Sequence, residues 1–206
     1  MKLYDFPFSP NCRKVRALAY ELGIAFDPVR VDLVKGESRT PAFLARNPNG
    51  RVPLLEDGDL VLWESTAILR YLAAGTALLP TERRVAAEVD RWIAWQLAHL
   101  QPAMSKVAFE RIIKRLTRRG DPDEAVVAQG IAELATLTSV LDSGLDGREF
   151  VAGPLTVADF SLAAHYSLAP AIGLDVAPFP RVTAWLGRML ARPSLQRALA
   201  DAQAPS

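Results

Sequence analysis

The chain has 206 residues, of which 50% are hydrophobic and 23% are charged, so it can build one large or two small hydrophobic cores. This composition excludes bulk disorder. Its 24 Lys and Arg residues are balanced by 23 Asp and Glu residues, which gives a net charge of +1 and provides no basic surface for nucleic acid.

The chain has a single cysteine, Cys12, so an internal disulfide is impossible. Because it has only two histidines, His99 and His165, we also expect no metal site. We interpret both histidines as structural. The N-terminal segment has no signal-peptide pattern, and we find no run of about 18 apolar residues. The expectation is a cytoplasmic protein that does not span a membrane.

The first 75 residues predict alternating strands and helices. Residues 2–5 and 26–33 have strand character, and the helical spacing of residues 12–22 between them predicts a βαβ unit with parallel strands. A short helix near Phe43 follows. Two apolar runs then flank Asp57-Gly58, which predicts a β-hairpin, and a helix runs from Glu64 to about residue 74.

The rest of the chain predicts helices only. Helical periodicity covers residues 82–117, 123–142, 156–172 and 181–191. We therefore predict an α/β domain over residues 1–75, a linker over 76–84 and an all-helical domain over 85–206. Thr156 and Asp159 form the pattern of a capping box, a structural feature of a helix start.

Two features of the first domain suggest a ligand. Pro53 opens a strand and therefore belongs at an edge or bulge; with a cis bond, the backbone groups of Val52 would be open to an extended peptide. Glu64 and Ser65 open the next helix, whose N-terminus attracts a carboxylate. Each feature alone has a structural explanation, but together they suit a small peptide with a free carboxylate.

Ser9 and Cys12 both lie at the start of the first helix. The Ser9 hydroxyl could stabilise an anion such as a thiolate, or it could simply cap the helix. No nucleophile motif accompanies Ser9, so it would donate a hydrogen bond rather than attack. The Cys12 thiol is its main rival, although a small buried residue is the simpler interpretation.

The chain resembles the cytosolic glutathione transferases, most closely the bacterial serine-type members related to the theta and delta classes. The resemblance spans the whole chain and rests on four motifs: SPNCRKVR at 9–16, NPNGRVPLLEDG at 47–58, ESTAILRYL at 64–72 and GPLTVADF at 153–160. It implies a thioredoxin-like domain followed by an all-helical domain, and a homodimer. It also implies an enzyme that conjugates glutathione, its co-substrate, to a hydrophobic electrophile.

The resemblance assigns a role to each residue of the glutathione site. Ser9 would stabilise the glutathione thiolate, and Val52, before a cis Pro53, would pair with the cysteinyl backbone. Glu64 and Ser65 would hold the γ-glutamyl end. The remaining candidates are cations for the glycyl carboxylate: Arg51, Arg39 and, less strongly, Lys35.

The resemblance also excludes three other subclasses. Asp5 stands where tyrosine-type transferases have Tyr, and Pro10 stands where beta-class members have the catalytic cysteine. Residues 9–12 lack the zeta-class signature.

Two alternatives to conjugation stay open. The same glutathione site could serve peroxide reduction or thiol transfer, and the fold could serve as a non-catalytic interaction module.

The helical domain is less informative about ligands. Trp92, Trp95 and Phe109 have helical spacing typical of a core. We expect the second substrate between residues 6–9 and the long helix, near Met104, Val107 or His165. The basic segment 106–119 is interpreted as a solvated face, or as a surface that attracts anionic glutathione.

Overall fold

The computed structural model describes residues 1–202, which form two compact units. The first unit contains residues 1–77 and 191–202, and the second contains residues 78–190. The first unit is built from these elements: β1 (Lys2–Asp5), α1 (Pro10–Glu21), β2 (Asp27–Arg30), α2 (Pro41–Leu44), β3 (Leu54–Asp57), β4 (Leu60–Trp63), α3 (Ser65–Ala73) and α11 (Pro193–Ala200).

The four strands form one mixed sheet in the order β2-β1-β3-β4. β1 is parallel to β2 and antiparallel to β3, with Leu3 opposite Leu55. β3 and β4 form a hairpin whose turn contains Gly58, with a φ of 60° that favours glycine. The βαβ unit, the hairpin and the thioredoxin-like fold class predicted from the sequence are confirmed.

The core of the first unit lies between the sheet and the helices. α1 buries the apolar side chains that its spacing predicted, including Val15 and Leu18, and it packs against α3 and α11. The sheet contributes Leu3, Leu54 and Leu55, each at most 1% exposed. The hydrophobic effect of these side chains therefore holds the two ends of the chain in one unit.

Helix α11 belongs to the first unit although it lies at the other end of the sequence. Arg192 pairs with Glu21 of α1, and the Ser194 hydroxyl donates to the same carboxylate at 2.5 Å. Our sequence-based division placed residues 85–206 in one helical domain, whereas the contacts of α11 are with α1. Helical periodicity identifies an apolar face but does not show which surface receives it.

The second unit is entirely helical, as predicted. One helical run extends from residue 83 to residue 117 through two π-helical segments, Gln96–Leu100 and Phe109–Ile113. The α-helices of the unit are α4 (Arg83–Trp95), α5 (Gln101–Ala108), α6 (Lys114–Thr117), α7 (Glu124–Gly144), α8 (Val157–Tyr166), α9 (Ala169–Ile172) and α10 (Pro180–Leu190). α8 is buried along its whole length and forms the centre of this unit.

The start of α8 has the predicted capping box. The Asp159 carboxylate accepts hydrogen bonds from the Thr156 backbone N–H at 2.9 Å and from the Thr156 hydroxyl at 3.2 Å. It also accepts from the Val151 N–H and the Trp185 indole N–H, each at 3.0 Å. Asp159 therefore joins α8, α10 and the preceding loop.

A buried polar network connects α8 to the first π-helical segment. The Ser161 hydroxyl donates to the Gln96 side-chain oxygen at 3.1 Å, and the Gln96 amide nitrogen lies 3.3 Å from His165 Nε2. His165 Nδ1 lies 2.9 Å from the Ser161 carbonyl oxygen, which makes Nδ1 the donor and Nε2 the acceptor. This arrangement fits the structural role expected of His165.

Helix α7 is, within residues 1–202, the one helix long and apolar enough to cross a membrane by length and composition alone. Core helices of soluble proteins often meet the same criterion. α7 packs against α5 and α10, and its buried residues include Leu134 and Leu141. The expectation that the chain does not span a membrane stays a prediction.

Candidate functional site

Ser9 is the N-cap of α1. Its backbone is extended, and its hydroxyl oxygen accepts a hydrogen bond from the Cys12 N–H at 3.4 Å. The Ser9 N–H donates to the Phe6 carbonyl at 2.8 Å and closes the turn between β1 and α1. Because the cap uses the oxygen as acceptor, the hydroxyl proton can be donated to another group. Capping and anion stabilisation are therefore compatible in this residue.

Cys12 lies in the core, with an exposed fraction of 0%. Burial, together with the charge of Asp5, raises the pKa of its thiol well above the ordinary range. The thiol is thus protonated at neutral pH, whereas a reactive cysteine needs access and a lowered pKa. These properties disfavour Cys12 as the nucleophile.

The start of α3 combines an unusual backbone with N–H groups that have no partner inside the helix. Glu64 precedes the helix with φ 72° and ψ 109°, a region that non-glycine residues rarely adopt. Within the described part of the chain, its side chain does not cap α3. The first N–H groups of a helix have no partner inside the helix, so this end can bind an anion. Ser65 is the first residue of α3 and is buried at this candidate anion site.

The starts of α1 and α3 adjoin each other. The Ser65 hydroxyl donates to the Asn11 side-chain oxygen at 3.3 Å, and Lys14 Nζ lies 3.5 Å from the Thr66 hydroxyl oxygen. Lys14 is completely buried, and its burial lowers its pKa to about 7. Two helix N-termini and one buried amine therefore converge on the region between Ser9 and Ser65.

The loop before β3 is held by Asn47, which is buried. Its side-chain nitrogen donates to the Arg51 carbonyl at 2.7 Å, and its side-chain oxygen accepts from the Asn49 N–H at 3.1 Å. The Val52-Pro53 bond is cis, as the resemblance implied. The pairing of β3 begins at Leu54, so Val52 lies just before the hydrogen-bonded register.

The cationic candidates do not all lie together. Arg39 Nη1 donates to the Asn49 carbonyl at 3.2 Å and packs on Gly50, where an added Cβ would lie 2.7 Å from that nitrogen. Arg39 and the exposed Arg51 thus belong to the same loop region. The Lys35 side chain is 77% exposed, and its ammonium group pairs with Asp32 at 3.5 Å. This ion pair lies in the segment that follows β2, apart from the contact between Arg39 and Asn49.

The helical unit changes the expectations for the second substrate. Met104, Val107 and His165, predicted near that substrate, are all at most 2% exposed in the core of this unit. Phe109, predicted to be core, is 39% exposed; the π-helical segment Gln96–Leu100, between Trp95 and Phe109, changes the helical spacing on which that prediction depended. Trp92 is buried as expected.

The basic segment 106–119 is a largely solvated face with ion pairs, one to α7 and one within the segment. Arg111 pairs with Glu124 at 2.7 Å, and Lys114 pairs with Glu110 at 2.6 Å. These pairs favour the simpler of the two interpretations given above.

Sequence reasoning missed the polar residues that support the site: Asn11, Lys14, Asn47 and Thr66. Asn47 had a usable signal, because Asn before Pro-Asn-Gly is typical of a side-chain-stabilised turn. The sequence gives no signal for Lys14, because lysine is almost never fully buried.

Four features of the structure agree with the resemblance to the cytosolic glutathione transferases: the thioredoxin-like sheet, the cis-proline loop, the two adjoining helix N-termini and the separate helical unit. Residues 1–74 match the family described as "Glutathione S-transferase, N-terminal domain". Glutathione S-transferase 3 of Zea mays is 37% identical over 100% of this chain and 96% of its own length.

Solved structures agree with this assignment. Glutathione transferase F7 from Populus trichocarpa has a TM-score of 0.90 and 31% identity, with 98% of each chain covered. Glutathione S-transferase I from maize, solved with an atrazine–glutathione conjugate, has a TM-score of 0.90 and 29% identity, covering 100% of this chain and 99% of its own.

The chain belongs to the cytosolic glutathione S-transferase family. It is a glutathione transferase, an enzyme that conjugates glutathione to electrophiles. These relatives from maize and poplar show the family, and the theta- and delta-related subclass belongs to the proposals below.

Proposed function

We propose that Ser9 activates glutathione by donating a hydrogen bond to its thiolate. The observation that carries this proposal is the junction of the two helix starts, in which Ser65 bonds to Asn11 two residues after Ser9. A peptide whose γ-glutamyl carboxylate binds at the start of α3 would have its thiol near the start of α1. Ser9 offers the hydroxyl donor at that point.

The other contacts of glutathione follow from the same placement. Val52 lies before the paired part of β3, so its backbone would bind the cysteinyl residue by strand addition. Glu64 and Ser65 would bind the γ-glutamyl amine and carboxylate. Arg39 and Arg51 would bind the glycyl carboxylate from the loop that Asn47 holds. Lys35 is the weakest candidate because it is exposed and already paired with Asp32.

The chemistry needed from Ser9 is modest. A free thiol has a pKa of about 8.5, and lowering it by about two units requires roughly 2.7 kcal/mol. A hydroxyl donor and a helix N-terminus can supply this amount. The thiolate then attacks the electrophilic carbon of the second substrate, and the leaving group departs with the displaced electron pair. Positioning of the two reactants provides the remaining acceleration.

The second substrate is proposed to be a hydrophobic electrophile. Phe109, Ile113 and Leu116 of the helical unit are 39%, 39% and 51% exposed and follow one another along the same helical run. Exposed apolar side chains in such a row are a suitable surface for an apolar molecule. Thiol transfer through the protein is disfavoured because Cys12 is buried with a raised pKa.

We test the role of Ser9 with Ser9→Gly and Ser9→Thr. Glycine is an adequate N-cap but lacks the hydroxyl, and threonine keeps both functions. In Ser9→Gly we expect the pKa of bound glutathione, measured by the ultraviolet absorbance of the thiolate, to rise towards 8.5. At pH 7 a complete return from about 6.5 to about 8.5 would lower the thiolate fraction, and with it kcat/KM, about 25-fold. This is the upper limit, because the helix N-terminus stays in the variant and keeps its share of the stabilisation. An unchanged pKa in Ser9→Gly would contradict the proposal.

Three further properties are proposed from the resemblance: the serine-type, theta- and delta-related subclass, a homodimer and a cytoplasmic location. Ser9 as the N-cap of α1 supports the first. The mass of the protein in solution tests the second.

A further inference from the structure

Arg16 is a buried cation directly behind the turn that carries Ser9. It lies on α1 and is 1% exposed. Its Nη1 atom lies 2.5 and 2.6 Å from the two carboxylate oxygens of Asp5, at the end of β1. Its Nη2 atom donates to the carbonyl oxygens of Pro7 and Ala198, each at 3.0 Å. One guanidinium thus joins β1, the Ser9 turn, α1 and α11.

The Pro7 carbonyl is the contact that bears on catalysis. Pro7 lies within the Phe6–Ser9 turn, which is closed by the bond from the Ser9 N–H to the Phe6 carbonyl. Arg16 holds this turn from the protein interior, while Phe8 in the same turn is 49% exposed. A hydroxyl that stabilises a thiolate must be placed within a fraction of an ångström, so the support of its turn affects its strength.

Arginine is suited to this task for a geometric reason. Its guanidinium is planar, and its donors point in fixed directions within that plane. It can therefore bond to Asp5, Pro7 and Ala198 at the same time. The ammonium group of lysine could pair with Asp5 but could not also donate to the carbonyl oxygens of Pro7 and Ala198. Charge compensation of Asp5 and support of the turn can thus be separated by substitution.

We propose that Arg16 is a positioning residue, which holds the Pro7 carbonyl and thereby orients the Ser9 hydroxyl toward the glutathione thiolate. This inference rests on the proposed function of Ser9. It also assigns a role to α11, because the Ala198 carbonyl accepts a second hydrogen bond from the same Nη2 atom that donates to Pro7. The C-terminal helix is then a part of the support for the catalytic turn.

The first test is the pKa of bound glutathione in Arg16→Lys, measured by thiolate absorbance. We expect the pKa of bound glutathione to rise by about one unit, because one unit corresponds to the loss of about one hydrogen bond to the thiolate. The dissociation constant of glutathione should stay within about threefold of wild type. Arg192→Gln is the matched control, because it removes another ion pair between α1 and α11 without touching the Ser9 turn. We expect no change of the thiol pKa in this control.

A second variant covers the case in which Arg16→Lys does not fold. Arg16 Nε also lies 3.1 Å from a carboxylate oxygen of Asp201, whose side chain is 31% exposed. The double variant Asp5→Asn/Arg16→Gln therefore replaces the buried charged pair with a neutral hydrogen-bonding pair and leaves the Asp201 carboxylate to water. It should raise the thiol pKa in the same way. A thiol pKa equal to that of wild type in a folded Arg16 variant would overturn the proposal, as would an equal rise in Arg192→Gln.

A double-mutant cycle distinguishes this proposal from the proposed function. If Arg16 acts through Ser9, Arg16→Lys should have no further effect on the thiol pKa in the Ser9→Gly background. Additive effects would overturn the positioning role while leaving Ser9 catalytic. A wild-type protein that does not lower the thiol pKa would instead contradict the proposed function itself.

Discussion

Asp159 is expected to be the most sensitive single position for the stability of the helical unit. Substitution Asp159→Ala leaves four buried donors without their acceptor: the N–H groups of Val151 and Thr156, the Thr156 hydroxyl and the indole N–H of Trp185. Each unsatisfied donor costs roughly 1–3 kcal/mol. With partial relaxation of the loop, we expect a loss of about 4 kcal/mol in the free energy of unfolding, a large share of the roughly 5–15 kcal/mol typical of a protein.

The assay is urea unfolding followed by circular dichroism, with a graded series of variants. Thr156→Ser keeps the hydroxyl and should stay close to wild type, whereas Thr156→Ala should lose about 1 kcal/mol. Asp159→Asn keeps one acceptor oxygen and should lie between Thr156→Ala and Asp159→Ala. A loss below about 1 kcal/mol in Asp159→Ala would refute the view that this carboxylate holds α8, α10 and the preceding loop together.

Two further predictions concern buried residues. Burial lowers the pKa of Lys14 to about 7, so between pH 7 and 8.5 the unfolded state retains a proton there that the folded state has lost. The free energy of unfolding should therefore rise with pH in this window, by at most about 1.4 kcal/mol per unit, and Lys14→Met should remove this contribution; an equal slope in the variant would contradict it. Gly144→Ala places a Cβ 2.3 Å from the Trp92 ring and should lose about 1–3 kcal/mol in urea unfolding. Gly187→Ala, in α10 with nothing within 4 Å of its Cβ, is the matched control and should be neutral or up to about 1 kcal/mol more stable; equal effects would refute the overpacking argument.

Much of the fold could be predicted because its signals are local. β1 covers residues 2–5, as its strand pattern predicts, and Asp57-Gly58 between two apolar runs predicts the hairpin. The destination of α11 could not be predicted, since it depends on contacts between residues near position 16 and residues near position 198. Sequence periodicity contains no information about such distant partners.

The site divides in the same way. Ser9, Val52 and Ser65 could be named as candidates because caps and prolines have fixed positions relative to helices and strands. Lys14 and Arg16 looked like ordinary charged residues of an amphipathic helix. Their burial depends on partners from other elements, Thr66 for one and Asp5 for the other, and only the folded chain brings these together.

The placement of α11 has a consequence for synthesis of the protein on the ribosome. The first unit needs residues 191–202 to complete its packing, so it stays unfinished until the whole helical unit between its two segments has been synthesised. Residues 78–190 emerge in between and already contain a complete helical core. The helical unit can thus fold before the first unit is complete, and the Ser9 turn gains the support of Arg16 and Ala198 only afterwards.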